Sequence, residues 1–482
     1  MRAHLDGQYS RAHPRGERPV PTRLERAIAY LDRAGPKLLG EDEQTILRKN
    51  YSHGLREAMK GNKTHLNIAD TLIDPQRIIE GRFPPNKTIW FIEVGGTNLR
   101  GGIMKTNAAG KPELVSQPGH ETRPAYMEIE LPKTKFSSVG EFAQVVAEEL
   151  SNVFEEPITP SSDTKATHKK PLTPDALAII FSFSGDPVHT TDNGRKRKNI
   201  DVAFGHHNVG AIAAKGFEFP DIHHEGVYVG QTIRQAFEQR FNIPNSLPYT
   251  LMNDTSVLAI EPKLGVVIGT GANFAAKLNG RVYNTALATF HDAPTYPLFR
   301  RFDKRFAVPG LSSAFKEIGG KHMGEIMTLT VERLMAREIL DKDLGLARNF
   351  TSADMTNILD GELGLHRANQ LFFKTIDRET HQILQEIARR LFTRSAQLMG
   401  TLLATFISEF PDQFDSEEVV SVQGSVLREA PNYEETLLQT ANSLLEGINK
   451  RIRFSYKKEA GFMGITYAAL SKLQEDEEEQ VA

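Results

Sequence analysis

The sequence predicts an α/β protein made of two related halves that face one another. Two glycine turns carry this prediction, because residues 93–98 and 268–273 each place glycines between apolar, β-rich flanks. The stretches IEVGGTNLRGGI and VIGTGANFAAKL share the order strand, glycine turn, asparagine, strand, which indicates a weak internal repeat. The chain has 482 residues, more than a single hydrophobic core usually serves. We therefore expect two domains.

Apolar periodicity predicts the other elements along the chain. Helical spacing covers 22–59 with a break at Gly35-Pro36, and another helix runs through Val229, Ile233 and Phe237. Further helices are predicted over 142–154, 324–339, 381–410, 437–448 and 464–473. Strands are predicted over 88–92, 102–104, 126–131, 176–181, 249–252, 264–268, 419–422 and 452–454.

The expected domain plan follows from this order of elements. Residues 1–20, rich in Pro, Arg and His, form a disordered lead-in, for which a transit peptide is the alternative. Residues 21–74 form N-terminal helices that pack on the large domain. The small domain covers 75–253 and is completed by a helix over 461–474, and the large domain covers 254–460. Residues 475–482 are an acidic, solvated tail.

Composition excludes several classes of function. The 58 basic and 61 acidic residues give a net charge of −3, so no global bias towards nucleic acid or membrane exists. The chain has no cysteine, which removes disulfides, thiolate nucleophiles and cysteine zinc sites and suits a reducing, cytoplasmic location. No apolar run approaches the roughly 20 residues that a bilayer span requires. The basic run at 194–198 is either a localisation or nucleic-acid patch or, as its turn residues favour, a solvated loop tip.

The glycine turns and one acidic triplet point to phosphoryl transfer. A glycine turn lets backbone N–H groups approach phosphate oxygens closely, and Thr97 and Thr270 add a hydroxyl donor to each turn. Asp254 follows an apolar strand in the triplet Asn253-Asp254-Thr255 and lies between the two turns in the sequence. Two phosphate cradles and one carboxylate that accepts a hydroxyl proton are what a kinase for a small hydroxylated substrate needs.

Six motifs in order resemble the eukaryotic-type hexokinase family, which includes glucokinase. Residues 93–100 resemble its Asp-Leu-Gly-Gly-Thr-Asn-Phe-Arg, 181–184 its Phe-Thr-Phe-Ser, and 214–217 its Thr-Lys-Gly-Phe. Residues 253–255 are identical to its Asn-Asp-Thr, 269–273 resemble its Gly-Thr-Gly-x-Asn, and 422–426 its Val-Asp-Gly-Ser-Leu. The likeness covers about 64–470. It implies two actin-like, ribonuclease-H-type α/β domains flanking a cleft, the hexokinase fold, and ATP-dependent phosphorylation of a hexose with Mg²⁺.

The resemblance also implies a role for each matching residue. Asp254 is expected to be the general base, with a helix-capping Asp as the structural alternative. The sugar hydroxyls are expected to contact Ser184, Lys215, Asn253, Asn273 and Glu317, although Lys215 can also be read as a surface lysine. The phosphates of ATP are expected at Gly95, Gly96, Thr97, Asn98, Arg100, Gly269, Thr270 and Gly271, and the adenosine end at Gly424 and Ser425. Glu93 is expected to reach Mg²⁺ through water. The expected partners are sugar and ATP, with no nucleic acid or membrane, in a monomer or weak homo-oligomer.

Departures from the family pattern cluster at the sugar and metal positions. Glu93 replaces an Asp, Ala214 a Thr, Ala286 the sugar-binding Glu of Asn-x-Glu-Trp, Leu311 a Gln, and Gln423 an Asp. The Glu of the motif after Pro309-Gly310 is either replaced by Lys316 or displaced to Glu317. His291 and Asp292 are candidates to bind the sugar hydroxyl that Ala286 cannot bind.

Three interpretations therefore compete. They are an active hexose kinase with a reshaped sugar site, a hexokinase-like sensor that binds ligands with little turnover, and a bacterial-type sugar kinase or repressor. Asp254 and both glycine turns favour the kinase over the sensor. The third class is disfavoured because it typically carries a cysteine-rich zinc motif or a helix-turn-helix, and this chain has no cysteine.

Overall fold

The protein is described from a computed structural model. It covers residues 21–62, 66, 68–73, 83–95, 98–117, 120–124, 126–131, 136–154, 173–182, 186–191, 198–203, 227–243, 247–306, 310, 312–341, 350–361 and 376–481. The predicted lead-in over 1–20 and most of the basic run at 194–198 lie outside these residues. Two large sheets, each with helices packed on it, make up the fold and confirm the predicted α/β class.

The first sheet carries the first glycine hairpin. Its strands are β2 Thr88–Val94, β3 Asn98–Thr106, β4 Pro112–Leu114, β7 Tyr126–Glu130, β8 Ala176–Phe181, β9 Asp186–Thr191, β10 Lys198–Ala203 and β11 Tyr249–Met252. The order is β4-β3-β2-β8-β11-β10-β9, and β7 also pairs with β3. β2 and β3 are antiparallel, whereas β2, β8, β11 and β10 run parallel. β5 Ser116–Gln117 and β6 His120–Pro124 form a separate hairpin.

Helices cover both faces of the first sheet because side chains alternate along its central strand. Trp90 stacks on Phe154 on one face, where α3 Val139–Glu149, α4 Ser151–Phe154 and α5 Val229–Phe241 pack. The next residue, Phe91, stacks on Phe462 of the C-terminal helix on the other face. The helix predicted over 142–154 is thus divided into two shorter ones.

The second sheet repeats the plan of the first. Its strands are β1 Ala69–Asp70, β12 Leu264–Ile268, β13 Ala272–Leu278, β14 Arg281–Asn284, β15 Glu417–Gln423 and β16 Arg451–Ser455, in the order β1-β14-β13-β12-β15-β16. β12, β13 and β14 are antiparallel, and β15 and β16 add in parallel beside β12. A hairpin followed by parallel strands on its first strand is therefore common to both sheets, as the internal repeat predicts.

The second sheet belongs to the larger helical assembly. Its helices are α1 Arg23–Ala34, α2 Glu41–Met59, α6 Asp254–Leu258, α7 Pro297–Asp303, α8 Ser313–Ile318, α9 Gly320–Met335, α10 Ser352–Asp360, α11 Arg378–Glu409, α12 Ser425–Glu429 and α13 Tyr433–Leu445. Short 3₁₀ turns occur at Leu287–Thr289, Pro411–Gln413 and Glu446–Ile448. α1 and α2 pack on α11, and Arg23 forms an ion pair of 3.0 Å with Glu379. The predicted domain boundaries at 75 and 254 stay predictions.

The acidic segment predicted as a solvated tail continues the last helix, with Glu477 and Glu478 exposed and Asp476 buried. The last helix, α14, runs over Ala460–Val481, well beyond the predicted end at 473. Asp476 is buried and lies 3.2 Å from Lys472, and Glu477 lies 2.9 Å from Lys87 on the first sheet. The helix continues because these lysines neutralise acidic groups on its last turns. Within the described residues, no helix combines the length and apolar character of a membrane span.

Candidate functional site

The carboxyl ends of the parallel strands bring the first set of predicted residues together. In the first sheet Val94 pairs with Phe181, and Ile180 pairs with Met252, so β2, β8 and β11 end at one edge. The first glycine turn, the segment after Phe181 and the Asn253-Asp254-Thr255 triplet follow directly from these three ends. Ligands of parallel sheets bind outside this edge.

An equivalent edge in the second sheet brings the second glycine turn to the loop after β15. Val267 pairs with Gln423, so β12 and β15 end side by side. Gly424 has a φ of 114°, and a Cβ at this position would lie 2.1 Å from the carbonyl oxygen of Ile268. Only glycine allows this approach.

The start of α9 is hydrogen-bonded to the second glycine turn. The turn is closed by the N–H of Gly269, which donates to Gly271 O (2.9 Å). Gly320 N donates to Gly269 O (2.9 Å), and Lys321 N donates to Thr270 O (3.1 Å). The turn and the start of a 16-residue helix are thereby held together.

Asp254 lies where the two sheets approach each other. It starts α6, which follows β11 of the first sheet, with Asn253 as the N-cap. The same helix packs on β12 of the second sheet, where a Cβ at Gly265 would come within 2.7 Å of Thr255 O. The Asp254 side chain is half-buried, and its Oδ1 accepts from the N–H of Thr255 (2.8 Å). A half-buried carboxylate between two sheet edges fits the predicted general base.

A row of charged side chains crosses three strands beside Asp254. The register places Glu93 opposite Arg100 and Arg100 opposite Glu128. Arg100 Nη1 donates to both oxygens of Glu93 (3.2 and 3.1 Å), its Nη2 donates to Glu128 (2.9 Å), and Asn98 also donates to Glu128 (2.8 Å). Burial raises the pKa of Glu93, Arg100 opposes this shift, and the charges of Asp254 and Glu128 add to it. Glu93 and Asp254 are therefore close enough to share one electrostatic environment.

Three asparagines and a threonine form a neutral network on the other side of Asp254. Asn273 Nδ2 donates to Thr255 Oγ1 (3.0 Å) and to Asn284 Oδ1 (2.7 Å). Asn284 Nδ2 and the N–H of Thr255 each donate to Asn253 Oδ1 (3.1 Å). Both amide protons of Asn273 are thus used inside the protein, which leaves it less able to bind a sugar than the sequence predicts.

Glu317 and Lys316 are both committed to buried ion pairs. Arg394 Nε donates to Glu317 Oε2 (2.5 Å), and its other nitrogens donate to Pro294 O (2.6 Å) and Lys37 O (3.2 Å). Lys316 donates to Asp303 (2.6 Å). Glu317 thereby holds α8 to α11 through one carboxylate oxygen, and its contact with the sugar stays a prediction.

The segment that follows Ala286 is held mainly through its backbone. Ser313 donates to His291 O, and Asn50 donates to Asp292 O (3.1 Å). The Asp292 side chain is exposed. A sugar contact from His291 or Asp292 stays a prediction.

Several predicted residues lie outside the described part of the chain: Gly96, Thr97, Ser184 and Lys215. Conversely, sequence reasoning missed Glu128 and the role of Asn284 as a hydrogen-bonding partner. The signal for Glu128 is the alternation of strand 126–131 beside the first hairpin. The signal for Asn284 is its position two residues before Ala286.

The donor set for a metal is small. Among the described residues, no group of three or more His, Asp or Glu side chains is arranged to hold a metal ion. Glu93 is paired with Arg100, and the Asp254 carboxylate is the nearby acidic group at the site.

Comparison with known proteins gives a consistent result. The family model described as hexokinase matches residues 263–471. No curated protein matches the sequence of the chain. Among solved structures, hexokinase from Schistosoma mansoni complexed with glucose is 17% identical, with a TM-score of 0.68 over 93% of this chain and 99% of that one.

A second hexokinase crystal structure is 14% identical, with a TM-score of 0.61 over 93% of this chain and 98% of the other. At such identities the likeness establishes the fold, which is the two-domain hexokinase fold predicted from the motifs. The family model adds a sequence match over the second sheet and its helices. Together these findings confirm the resemblance to the hexokinases that the motifs indicate.

Proposed function

We propose that this protein phosphorylates a hexose, glucose or a similar sugar, at its primary hydroxyl with ATP as the donor. The observation that carries the proposal is the position of Asp254, half-buried at the carboxyl edge of the first sheet on a helix that packs against the second sheet, whose edge carries a glycine turn. Phosphoryl transfer needs the nucleotide and the acceptor hydroxyl to be held in line, with a base at the hydroxyl. The two edges and Asp254 can supply these three functions.

In this proposal the second glycine turn, with Gly424 and Ser425 beside it, receives the nucleotide. Glycine at 269, 271 and 424 lets this turn and the adjacent loop pack closely, and the N–H groups of Thr270 and Gly271 are proposed to donate to phosphate oxygens. The first turn, with Gly95 and Gly96, approaches the terminal phosphate from the other edge. Mg²⁺ entering with ATP offsets the charge of the phosphates.

Asp254 then accepts the proton of the attacking sugar hydroxyl. Asn253, Ser184 and Lys215 are proposed to hold the neighbouring hydroxyls, and Asn273 supports them from within the neutral network. Glu93 and Arg100 are proposed to set the electrostatic environment of this base, because their charges lie next to it. A base of this kind contributes about 10²- to 10⁴-fold to the rate.

A second candidate function is a hexokinase-like sensor that binds sugar or nucleotide with little turnover. The observation that favours it is the small number of polar groups available to a sugar among the predicted positions that the structure describes. Ala286 offers no carboxylate, Glu317 is paired with Arg394, and both amide protons of Asn273 are used internally. Weaker sugar contacts would leave less free energy to drive closure of a cleft.

One experiment separates the two candidates. The purified chain is incubated with ATP, Mg²⁺ and a panel of hexoses, and ADP and sugar phosphate are measured by mass spectrometry, with melting temperature as a binding readout. The kinase predicts hexose-dependent formation of equal amounts of ADP and hexose 6-phosphate. No sugar phosphate together with a ligand-dependent rise in melting temperature would establish the sensor instead. A result with no product and no thermal shift would overturn both candidates.

A further inference from the structure

Asn284 occupies the centre of the neutral network. It lies two residues before Ala286, where the family pattern has a sugar-binding Glu. It is the last residue of β14, and its side chain is buried, with 7% of the residue exposed. Its amide contacts both asparagines that the sequence assigns to the sugar. Nδ2 donates to Asn253 (3.1 Å), and Oδ1 accepts from Asn273 (2.7 Å).

Backbone N–H groups fix which end of each amide faces which partner. A backbone N–H can only donate, so the atom that accepts from it must be a carbonyl oxygen. The N–H of Ala286 donates to Asn284 Oδ1 (2.9 Å), that of Thr255 to Asn253 Oδ1 (3.1 Å), and that of Leu287 to Asn273 Oδ1 (3.1 Å). With all three oxygens assigned, Asn284 is the residue whose amide group joins the other two.

The network also joins the elements that carry the two halves of the proposed chemistry. Asn273 is two residues beyond Gly271 of the second glycine turn, and Asn253 precedes Asp254. Asn284 contacts both from the end of a third strand. A change in its side chain therefore alters the alignment between the phosphate-binding turn and the base.

We propose that Asn284 is a positioning residue of this site, which orients the amides of Asn253 and Asn273 and so aligns the second glycine turn with Asp254. The catalytic consequence of this inference rests on the proposed kinase function. The hydrogen-bond network is observed in the structure and does not depend on that function. In this inference Asn273 also positions the site, and its amide protons do not contact the sugar directly.

The test compares Asn284→Ala and Asn284→Asp with a matched asparagine elsewhere in the second domain. Asn442 exchanges two hydrogen bonds with the backbone of Ile452 (3.1 and 2.7 Å), on α13 and β16. Asn442→Ala therefore removes a comparable structural bond without touching the network. Asn284→Asp keeps the acceptor for Ala286 and Asn273 but cannot donate to Asn253.

In hexose phosphorylation, both Asn284 variants are expected to lose about 10- to 100-fold in kcat, the loss typical of a small misplacement of reacting groups. Asn442→Ala is expected to lower the melting temperature and leave kcat and KM as in the wild type. If Asn284→Ala lowers the melting temperature but keeps kcat and both KM values, the positioning role is overturned.

Hydrogen exchange tests the network independently of activity, and so separates its failure from that of the proposed function. Faster exchange at the N–H groups of Thr255 and Leu287 is expected in Asn284→Ala, since the asparagine oxygens that accept from them lose their orientation. No such change is expected in Asn442→Ala. Unchanged exchange at both N–H groups in Asn284→Ala would overturn the inference even if the wild type phosphorylates no sugar.

Discussion

Beside the first glycine turn, charged side chains cross three strands of the first sheet, whereas the side chains that join the second sheet to Asp254 are neutral amides. Glu93, Arg100 and Glu128 form the charged row, and Asn253, Asn273 and Asn284 form the neutral network. Both edges follow the same hairpin-and-parallel-strand plan. The comparison shows that a repeated fold does not repeat its chemistry.

In the second domain, two adjacent charged side chains are instead paired in the interior. Glu317 and Lys316, which follow the second glycine turn along the chain, are buried in pairs with Arg394 and Asp303. In the first domain the charged row lies beside Asp254, and burial, together with the charge of Asp254, raises the pKa of Glu93. Charge therefore stabilises the interior of one domain and shapes the site in the other.

The largest effect is expected from Arg394→Met, which removes the buried partner of Glu317. The contrast between the two domains would fail if this variant were as stable as the wild type. Both side chains of this pair are only 2% exposed, so removal of the arginine leaves a carboxylate buried without a partner. We expect a loss of about 3–5 kcal/mol in the free energy of unfolding, measured by urea denaturation. The double variant with Glu317→Gln should recover much of the loss.

The exposed pair Arg428–Glu429 provides the control for this prediction, since its side chains are 61% and 57% exposed. Arg428→Met should change the stability by less than about 1 kcal/mol. Equal effects of Arg394→Met and Arg428→Met would show that Glu317 is not held as described.

A smaller effect is expected from Gly424→Ala at the neutral edge. The Cβ would meet the carbonyl of Ile268 at 2.1 Å in a backbone conformation with φ of 114°. We expect a loss of about 3 kcal/mol in stability and weaker binding of ATP, measured by calorimetry. Gly447→Ala is the matched control, because a Cβ there has no heavy atom within 4 Å. Wild-type nucleotide affinity in Gly424→Ala would refute the placement of the nucleotide.

How far the sequence predicts this molecule depends on how local each feature is. The glycine turns, the Asn-Asp-Thr triplet and most strands are local patterns, and each predicted strand overlaps a described one, whereas short strands such as β1, β4 and β14 are not predicted. The partner of Glu317 is 77 residues away on α11, so no local pattern indicates it. The contact of Glu477 on α14 with Lys87, 390 residues away, likewise has no local pattern that indicates it. The direction of each asparagine amide depends on backbone N–H groups that only the folded structure brings into contact.

The smallest expected effect is the pH dependence of stability due to Glu93, which tests how the charged row balances burial against ion pairing. Burial raises the pKa of Glu93 above its unfolded value of about 4.3. Its contribution to stability is therefore complete below that pH and is lost as the pH rises through the folded pKa. Relative to Glu93→Gln, the wild type should lose stability as the pH is raised from about 4 towards neutrality, in urea titrations at a series of pH values. A stability difference that increases with pH in favour of the wild type would mean that Arg100 outweighs burial.

The account depends most on Asp254 as the base between the two edges, and the most direct measurement compares the wild type with Asp254→Asn. The asparagine keeps the size of the side chain but cannot accept the proton of the sugar hydroxyl. With saturating ATP, Mg²⁺ and hexose, we predict that kcat for sugar phosphate formation falls about 10²- to 10⁴-fold while both ligands still bind by calorimetry. A variant that phosphorylates the sugar at the wild-type rate would contradict the account.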